Sequence, residues 1–101
     1  PIPEGAADAL YAGVGADWSF GGGGDDFIDS GSGDDVSIGE AGADLLIGSA
    51  GNDRLVGDSG PRGVDEGGDV LDGGMGDDTL QGDGGDDVLI GGPGADVLMG
   101  G

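Results

Sequence analysis

The sequence predicts an all-β chain in which coils of 18 residues stack into a solenoid with two parallel sheets. A nine-residue unit rich in glycine and aspartate recurs along most of the 101 residues. Each unit has a six-residue glycine-rich turn that ends in Asp, followed by three residues with an apolar one at their centre. Glycine is costly inside a helix and readily adopts the positive φ values of tight turns, whereas short apolar runs suit strands. Two strands and two turns therefore make one coil.

The nine-residue frame is clearest near the C-terminus, where residues 73–81 read Gly-Gly-Met-Gly-Asp-Asp-Thr-Leu-Gln. Residues 82–90 read Gly-Asp-Gly-Gly-Asp-Asp-Val-Leu-Ile, and residues 91–99 read Gly-Gly-Pro-Gly-Ala-Asp-Val-Leu-Met. The same frame runs through the earlier units at 12–20, 21–29, 30–38, 39–47 and 48–56. We number the positions of a unit from one to nine, so that the aspartate ending the turn is the sixth.

Two segments depart from the frame. Residues 1–11 place Asp8 and Leu10 correctly but lack most turn glycines, and we interpret them as a degenerate N-terminal cap or a leading segment. The unit at 57–72 has 16 residues, seven more than the others. Proline with several glycines suits a surface excursion, so we expect residues 61–68 to loop out from an otherwise regular repeat domain at 12–101. The start without Met and the stop at the beginning of another unit suggest a piece of a larger protein.

The eighth position of each unit predicts the core. Side chains alternate across a strand, so this position faces one side and the seventh and ninth positions face the other. The eighth-position residues are Leu10, Ser19, Ile28, Ser37, Leu46, Leu55, Leu71, Leu80, Leu89 and Leu98. Eight of these ten are aliphatic, which indicates an interior column one residue wide. At about 2 kcal/mol per buried side chain, such a column cannot offset the ordering of the chain at roughly 1–2 kcal/mol per residue. A further source of stability is required.

Ser19 and Ser37 interrupt the aliphatic column, in units that fall on the same sheet one coil apart. The residues beside them are Trp18, Phe20, Val36 and Ile38. Either the serines face inward and these four residues form an outer apolar patch, or the register slips locally. An outer patch would contact a neighbouring domain, or form a partner or dimer surface.

The charge of the chain indicates which partners it has. There are 22 acidic and 2 basic residues, for a net charge of −20. Such a composition predicts disorder unless the charge is neutralised. The negative field excludes nucleic acid and anionic membranes as partners, and no apolar run is long enough to span a membrane. Without Cys or His, the chain has neither thiolate sites nor a His-based triad. Cations remain as the natural partner.

The turns offer the ligands that calcium prefers. Calcium takes about six to eight oxygen ligands, including carboxylates and backbone carbonyls. Glycine leaves the carbonyls of a turn unshielded, and each turn adds one aspartate. Turns on the same edge of the solenoid lie one coil apart, at about 4.8 Å. Two adjacent turns can therefore clamp one ion, each giving an aspartate oxygen and carbonyls.

The repeat resembles the RTX (repeats-in-toxin) family of hemolysin-type calcium-binding nonapeptides, with the pattern G-G-x-G-x-D-x-U-x. The resemblance covers residues 12–101 and implies a right-handed parallel β-roll with calcium between successive turns of one edge. The aspartates that would coordinate by side chain are Asp17, Asp26, Asp35, Asp44, Asp53, Asp69, Asp78, Asp87 and Asp96. The glycines that would supply carbonyls are Gly13, Gly15, Gly22, Gly24, Gly31, Gly33, Gly42, Gly51, Gly74, Gly76, Gly85, Gly92 and Gly94.

Alternate turns share an edge, which predicts how the aspartates pair. One edge carries Asp17, Asp35, Asp53, Asp78 and Asp96, and the other carries Asp8, Asp26, Asp44, Asp69 and Asp87. This pairing predicts about five to eight calcium ions. Other acids could either touch an ion or be solvated charges. They are Asp25, Asp34, Asp77 and Asp86 at fifth positions, Asp58 and Asp83 at second positions, and Asp65 and Glu66 in the insertion.

Two classes of function are consistent with the repeat. The resemblance implies a secreted bacterial module, attached to a toxin or exported enzyme, that folds on extracellular calcium after type I secretion. The alternative is a structural or adhesive segment of a surface-layer protein or large adhesin. We expect no catalytic activity in these residues, because paired carboxylates that occur in every unit do not mark a single active site.

Overall fold

The computed structural model describes residues 9–57, 68–83 and 85–100. These residues form ten strands and no helix, so the all-β prediction is confirmed. The described part accordingly contains no helix able to cross a membrane. The strands are β1 (Ala9–Tyr11), β2 (Trp18–Phe20), β3 (Phe27–Asp29), β4 (Val36–Ile38), β5 (Leu45–Ile47), β6 (Arg54–Val56), β7 (Val70–Asp72), β8 (Thr79–Gln81), β9 (Val88–Ile90) and β10 (Val97–Met99).

Two parallel sheets of five strands make up the solenoid. The odd sheet has the order β1-β3-β5-β7-β9, and the even sheet has the order β10-β8-β6-β4-β2. We call the turns that lead into the even strands the even edge and those that lead into the odd strands the odd edge. The even edge ends in Asp17, Asp35, Asp53, Asp78 and Asp96. The odd edge ends in Asp26, Asp44, Asp69 and Asp87.

The strand register confirms the 18-residue coil. Ile28 pairs with Leu46, 18 residues later, and Leu46 pairs with Leu71 across the insertion, 25 residues later. The eighth position therefore stays aligned with itself on both sides of the seven extra residues. The prediction that residues 61–68 loop outward is not tested, because of these residues only Gly68 is described. Residues 1–8 of the N-terminal segment also lie outside the described residues.

The eighth positions form the core as predicted. Its centre consists of Ile28, Leu46, Leu55, Leu71 and Leu80, which have no exposed surface. Leu10 and Leu89 are partly buried against this column. The prediction of an interior position is wrong for Leu98, which is 45% exposed. Its strand, β10, lies at one end of the even sheet, where β8 is its one partner among the described strands, so Leu98 is covered from one side.

The two core serines face inward, and the register-slip alternative is wrong. Ser19 pairs with Ser37 and Ser37 with Leu55, both in the regular register. Both serines are buried, whereas Trp18 and Phe20 on the outer face are exposed. Ser37 hydrogen-bonds through its Oγ to the Oγ of Ser30, a buried serine at the first position of the same unit. This bond was not predicted from the sequence. It gives both buried serine hydroxyls a hydrogen-bond partner, as buried polar groups require.

Candidate metal centre

The turns are built on a left-handed backbone at their second and fourth positions. All thirteen glycines predicted to supply carbonyls have positive φ, between 80° and 121°. A residue with a Cβ rarely adopts this region, which explains why the positions are glycine. Glu40, Ser49 and Asp83 are the described second-position residues that adopt positive φ without being glycine. The repeating left-handed residues give the described turns a similar course, so that these turns stack.

The carbonyls of these positions approach the following turn closely. A Cβ at Gly31 would collide with the carbonyl oxygen of Gly13, and a Cβ at Gly51 with that of Gly33. Each collision joins equivalent positions one coil apart. Glycine at Gly31 and Gly51 thus suits these sites by its small size as well as by its conformation. The carbonyl oxygens lie between turns, where the resemblance places calcium.

The sixth-position aspartates form a column along each edge. In every described pair, the Oδ1 atom of one aspartate accepts a hydrogen bond from the backbone N–H of the aspartate one coil earlier. On the even edge, the bonds join Asp17 to Asp35, Asp35 to Asp53, Asp53 to Asp78 and Asp78 to Asp96, at 2.8–2.9 Å. On the odd edge, they join Asp26 to Asp44, Asp44 to Asp69 and Asp69 to Asp87, at 2.8–2.9 Å. The structure therefore brings together every predicted pair except Asp8 with Asp26, because Asp8 lies outside the described residues.

The second carboxylate oxygen of these aspartates lacks a hydrogen bond in several turns. The Oδ2 atoms of Asp17, Asp35, Asp53, Asp78 and Asp87 are buried and have no hydrogen-bond partner. A buried oxygen that carries charge and lacks a partner is costly. A bound cation would remove this cost.

The pKa values of three even-edge aspartates show the same cost. The pKa of Asp53 is raised to about 7, mainly by burial and to a lesser extent by repulsion from Asp78 and Asp35, while the hydrogen bond from the Asp35 N–H lowers it. Burial is also the main cause of the raised pKa values of Asp35 and Asp78. These carboxyl groups bind a proton more readily than an ordinary aspartate. A cation in the same place would favour the ionised form instead.

The donor atoms around the columns fit calcium. A Cβ on Gly48, at a first position, would lie 2.5 Å from Oδ2 of Asp53 and 2.7 Å from the carbonyl oxygen of Gly73 in the next turn. A carboxylate oxygen and a carbonyl oxygen of two turns thus face the same space. No three acidic side chains converge on one point within the described ranges. A site between two turns would therefore draw most of its ligands from carbonyls, an all-oxygen set that suits a hard cation.

The remaining acids divide into different roles. The fifth-position acids Asp25, Asp34 and Asp77 are exposed, as expected for solvated charges, but each accepts a hydrogen bond from the next turn. The fourth, Asp86, is also exposed. Asp83 accepts a hydrogen bond from the side chain of Gln81. Asp58, Asp65 and Glu66 lie outside the described residues. The fifth-position bonds were not predicted, although the recurrence of Asp or Asn at this position was visible in the sequence.

Comparison with known proteins agrees with this geometry. The family model described as the RTX calcium-binding nonapeptide repeat (4 copies) matches residues 4–36, 29–61 and 64–101. No curated protein matches the chain.

Proposed function

Because the chain belongs to the RTX family of calcium-binding nonapeptide repeats, we propose that this calcium-binding β-roll is the folding module of a secreted bacterial protein. It crosses the cell envelope unfolded through a type I secretion channel. Calcium is scarce inside the cell and abundant outside, so the module folds after export. We assign it no catalytic role of its own.

The observation that carries the proposal is a set of buried Oδ2 atoms without hydrogen-bond partners, those of Asp17, Asp35, Asp53, Asp78 and Asp87. Among the described residues, the fully buried aliphatic core has five members, and the chain carries a net charge of −20. Burial of carboxylates in such a chain opposes folding until a cation compensates them. An ion that binds only the folded state adds RT ln(1 + [L]/Kd) of stability at each independent site. Calcium binding and folding are therefore coupled.

Each ion would be held between two turns of one edge. The ligands would be the sixth-position aspartates and the carbonyls of the glycine-rich turns. Seven such turn pairs are joined by aspartate hydrogen bonds in the described residues. With one ion for each turn pair, this count falls in the range of about five to eight ions expected from the coordination rule. The ion neutralises the carboxylates and ties each turn to the next.

Circular dichroism of the chain during a calcium titration tests the proposal. Without calcium, we expect the spectrum of a disordered chain, and with calcium the spectrum of a β-structure. Magnesium at the same concentration is the control, because its demand for a small octahedral site suits a carbonyl-lined space poorly. A calcium-free spectrum that already shows the full sheet content would contradict the proposal.

A further inference from the structure

The fifth-position side chains form a second column, outside that of the aspartate ligands. Oδ1 of Asp34 accepts a hydrogen bond from the N–H of Asn52 at 2.8 Å, and Oδ1 of Asn52 accepts one from the N–H of Asp77 at 2.9 Å. Asp77 continues the column to the N–H of Ala95, at 2.9 Å. On the odd edge, Asp25 bonds the N–H of Ala43 in the same way, at 2.9 Å. In each case the side chain of one turn holds the backbone of the following turn.

These bonds run opposite to those of the sixth position. A sixth-position N–H donates to the side chain of the following turn, whereas a fifth-position N–H donates to the side chain of the preceding turn. Two neighbouring turns are therefore tied in both directions, at adjacent residues. Such a reciprocal pair of bonds sets both the spacing and the tilt of the turns.

We propose that the fifth-position side chain is a spacing clamp that positions successive turns for calcium, and that it acts as a hydrogen-bond acceptor that needs no charge rather than as a calcium ligand. The inference rests on the proposed function, since it concerns the same sites. Its main support is Asn52, whose amide oxygen makes the same bond as the carboxylates of Asp34 and Asp77. A carboxylate is thus not required at this position. The fifth-position residues are exposed, whereas the Oδ2 atoms of Asp35, Asp53 and Asp78 are buried.

The chain contains turn pairs both with and without the clamp. Asp34, Asn52 and Asp77 clamp three turn pairs of the even edge, whereas Ala16 occupies the fifth position of its first described turn. A methyl group cannot accept a hydrogen bond, so the pair ending in Asp17 and Asp35 lacks the clamp. The proposal therefore predicts that an acceptor at residue 16 adds a bond to the N–H of Asp34. The backbone already accommodates Asn at the equivalent position in Asn52.

Amide hydrogen exchange of the calcium-loaded chain, measured by NMR, tests the clamp at single residues. Asp34→Ala should speed exchange of the Asn52 amide by roughly tenfold, because this amide loses its hydrogen-bond acceptor and one hydrogen bond corresponds to about that factor in an equilibrium constant. Asp34→Asn should keep the wild-type rate within about twofold, because the acceptor remains. Ala16→Asn should slow exchange of the Asp34 amide by about threefold or more.

Asp86→Ala is the matched control. Asp86 is an exposed fifth-position acid, and within the described part of the chain its carboxylate accepts no hydrogen bond. It removes the same charge as Asp34→Ala and should leave the Asn52 amide unchanged. Calcium binding by each variant is measured in parallel, and Asp34→Asn should bind as many ions as the wild type. Loss of an ion in Asp34→Asn, or equal effects of Asp34→Ala and Asp86→Ala, would overturn the clamp. A wild-type chain that gains no β-structure with calcium would overturn the proposed function as well.

Discussion

The two edges of the solenoid are built from the same nine-residue unit, yet they are tied together to different extents. The even edge has a further outer ladder at its third positions. In this ladder, the carbonyl oxygen of each third position accepts a hydrogen bond from a glycine N–H of the preceding turn, at N···O distances of 3.0–3.2 Å. The donor and acceptor pairs are Gly15 and Ser32, Gly33 and Ala50, Gly51 and Met75, and Gly76 and Pro93. On the odd edge, no such bond joins the described turns at 21–26 and 39–44. Of the four fifth-position clamps found in the described turns, three also lie on the even edge.

The insertion lies on the odd edge, where seven extra residues separate the turn beginning at Gly57 from its closing aspartate, Asp69. Asp69 nevertheless joins the aspartate column on both sides, through Asp44 and Asp87. The sixth position of this edge is thus preserved across the insertion. We expect the even edge to bind calcium more tightly, since more hydrogen bonds hold its turns at a fixed spacing.

The largest effect is expected from an aspartate in the middle of the even edge. Asp53 contacts both Asp35 and Asp78, so Asp53→Ala should weaken two calcium sites. Asp35→Ala should do the same, whereas Asp96→Ala should weaken only one, because Asp96 contacts Asp78 alone among the described aspartates. Each lost hydrogen bond to a charged group costs about 1.5–3 kcal/mol, apart from the ions themselves.

Ion counts by anomalous scattering, together with calcium titrations, measure this effect. Asp53→Ala should show two ions fewer at limiting calcium and Asp96→Ala one fewer. Equal losses in both variants would contradict binding between turns. A wild-type count below four ions, or ions bound within single turns, would contradict the site as a whole.

A smaller effect is expected from pH, and it tests the even edge without calcium. The pKa of Asp53 is about 7 in the folded chain and about 4 when unfolded. A folded pKa above the unfolded value means that protons stabilise the fold. This contribution is fully present below about pH 4 and is lost as the pH rises through about 7. Acid should therefore increase the β-structure of the calcium-free chain and weaken calcium binding by competition.

Circular dichroism at pH 4 and pH 8, with a chelator present, measures the change. Asp53→Asn is the control, because it cannot bind the proton and should lose part of the acid dependence. A calcium-free chain whose β-structure increases with pH would show that this carboxyl group is not buried as the structure has it.

The smallest effect is expected from removing the insertion. Deletion of residues 61–67 restores a nine-residue unit at the odd edge and leaves Gly68 at its fifth position. Since the strand register is regular on both sides, calcium-induced folding should be retained or improved. A shorter loop also lowers the entropy cost of closure slightly.

Calcium titrations of the deletion variant distinguish three results. Folding as in the wild type supports a surface excursion. Reduced affinity confined to the odd edge would show that Asp65 or Glu66 supplies ligands there. Complete loss of calcium-induced folding would show that the excursion belongs to the core and that the nine-residue frame is wrong in this region.

The sequence by itself determined the period, the core column and the pairing of aspartates along each edge. These features follow from local rules. Glycine marks the positions with positive φ, as at Gly33 and Gly51, and the alternation of side chains along a strand selects the eighth position as interior. A fixed period then places equivalent residues one coil apart without further information.

Which atoms meet between coils depends on the stacking itself. The repeat pattern did not indicate that Oδ1 of Asp53 accepts a hydrogen bond from the Asp35 N–H, which leaves Oδ2 without one. Nor did it predict the bond between Ser30 and Ser37, or the exposure of Leu98 at the end of the even sheet. These features depend on how closely neighbouring coils approach and on which coil lies beside a given residue. Contacts between residues 18 or 25 positions apart in the chain form only when the coils are stacked.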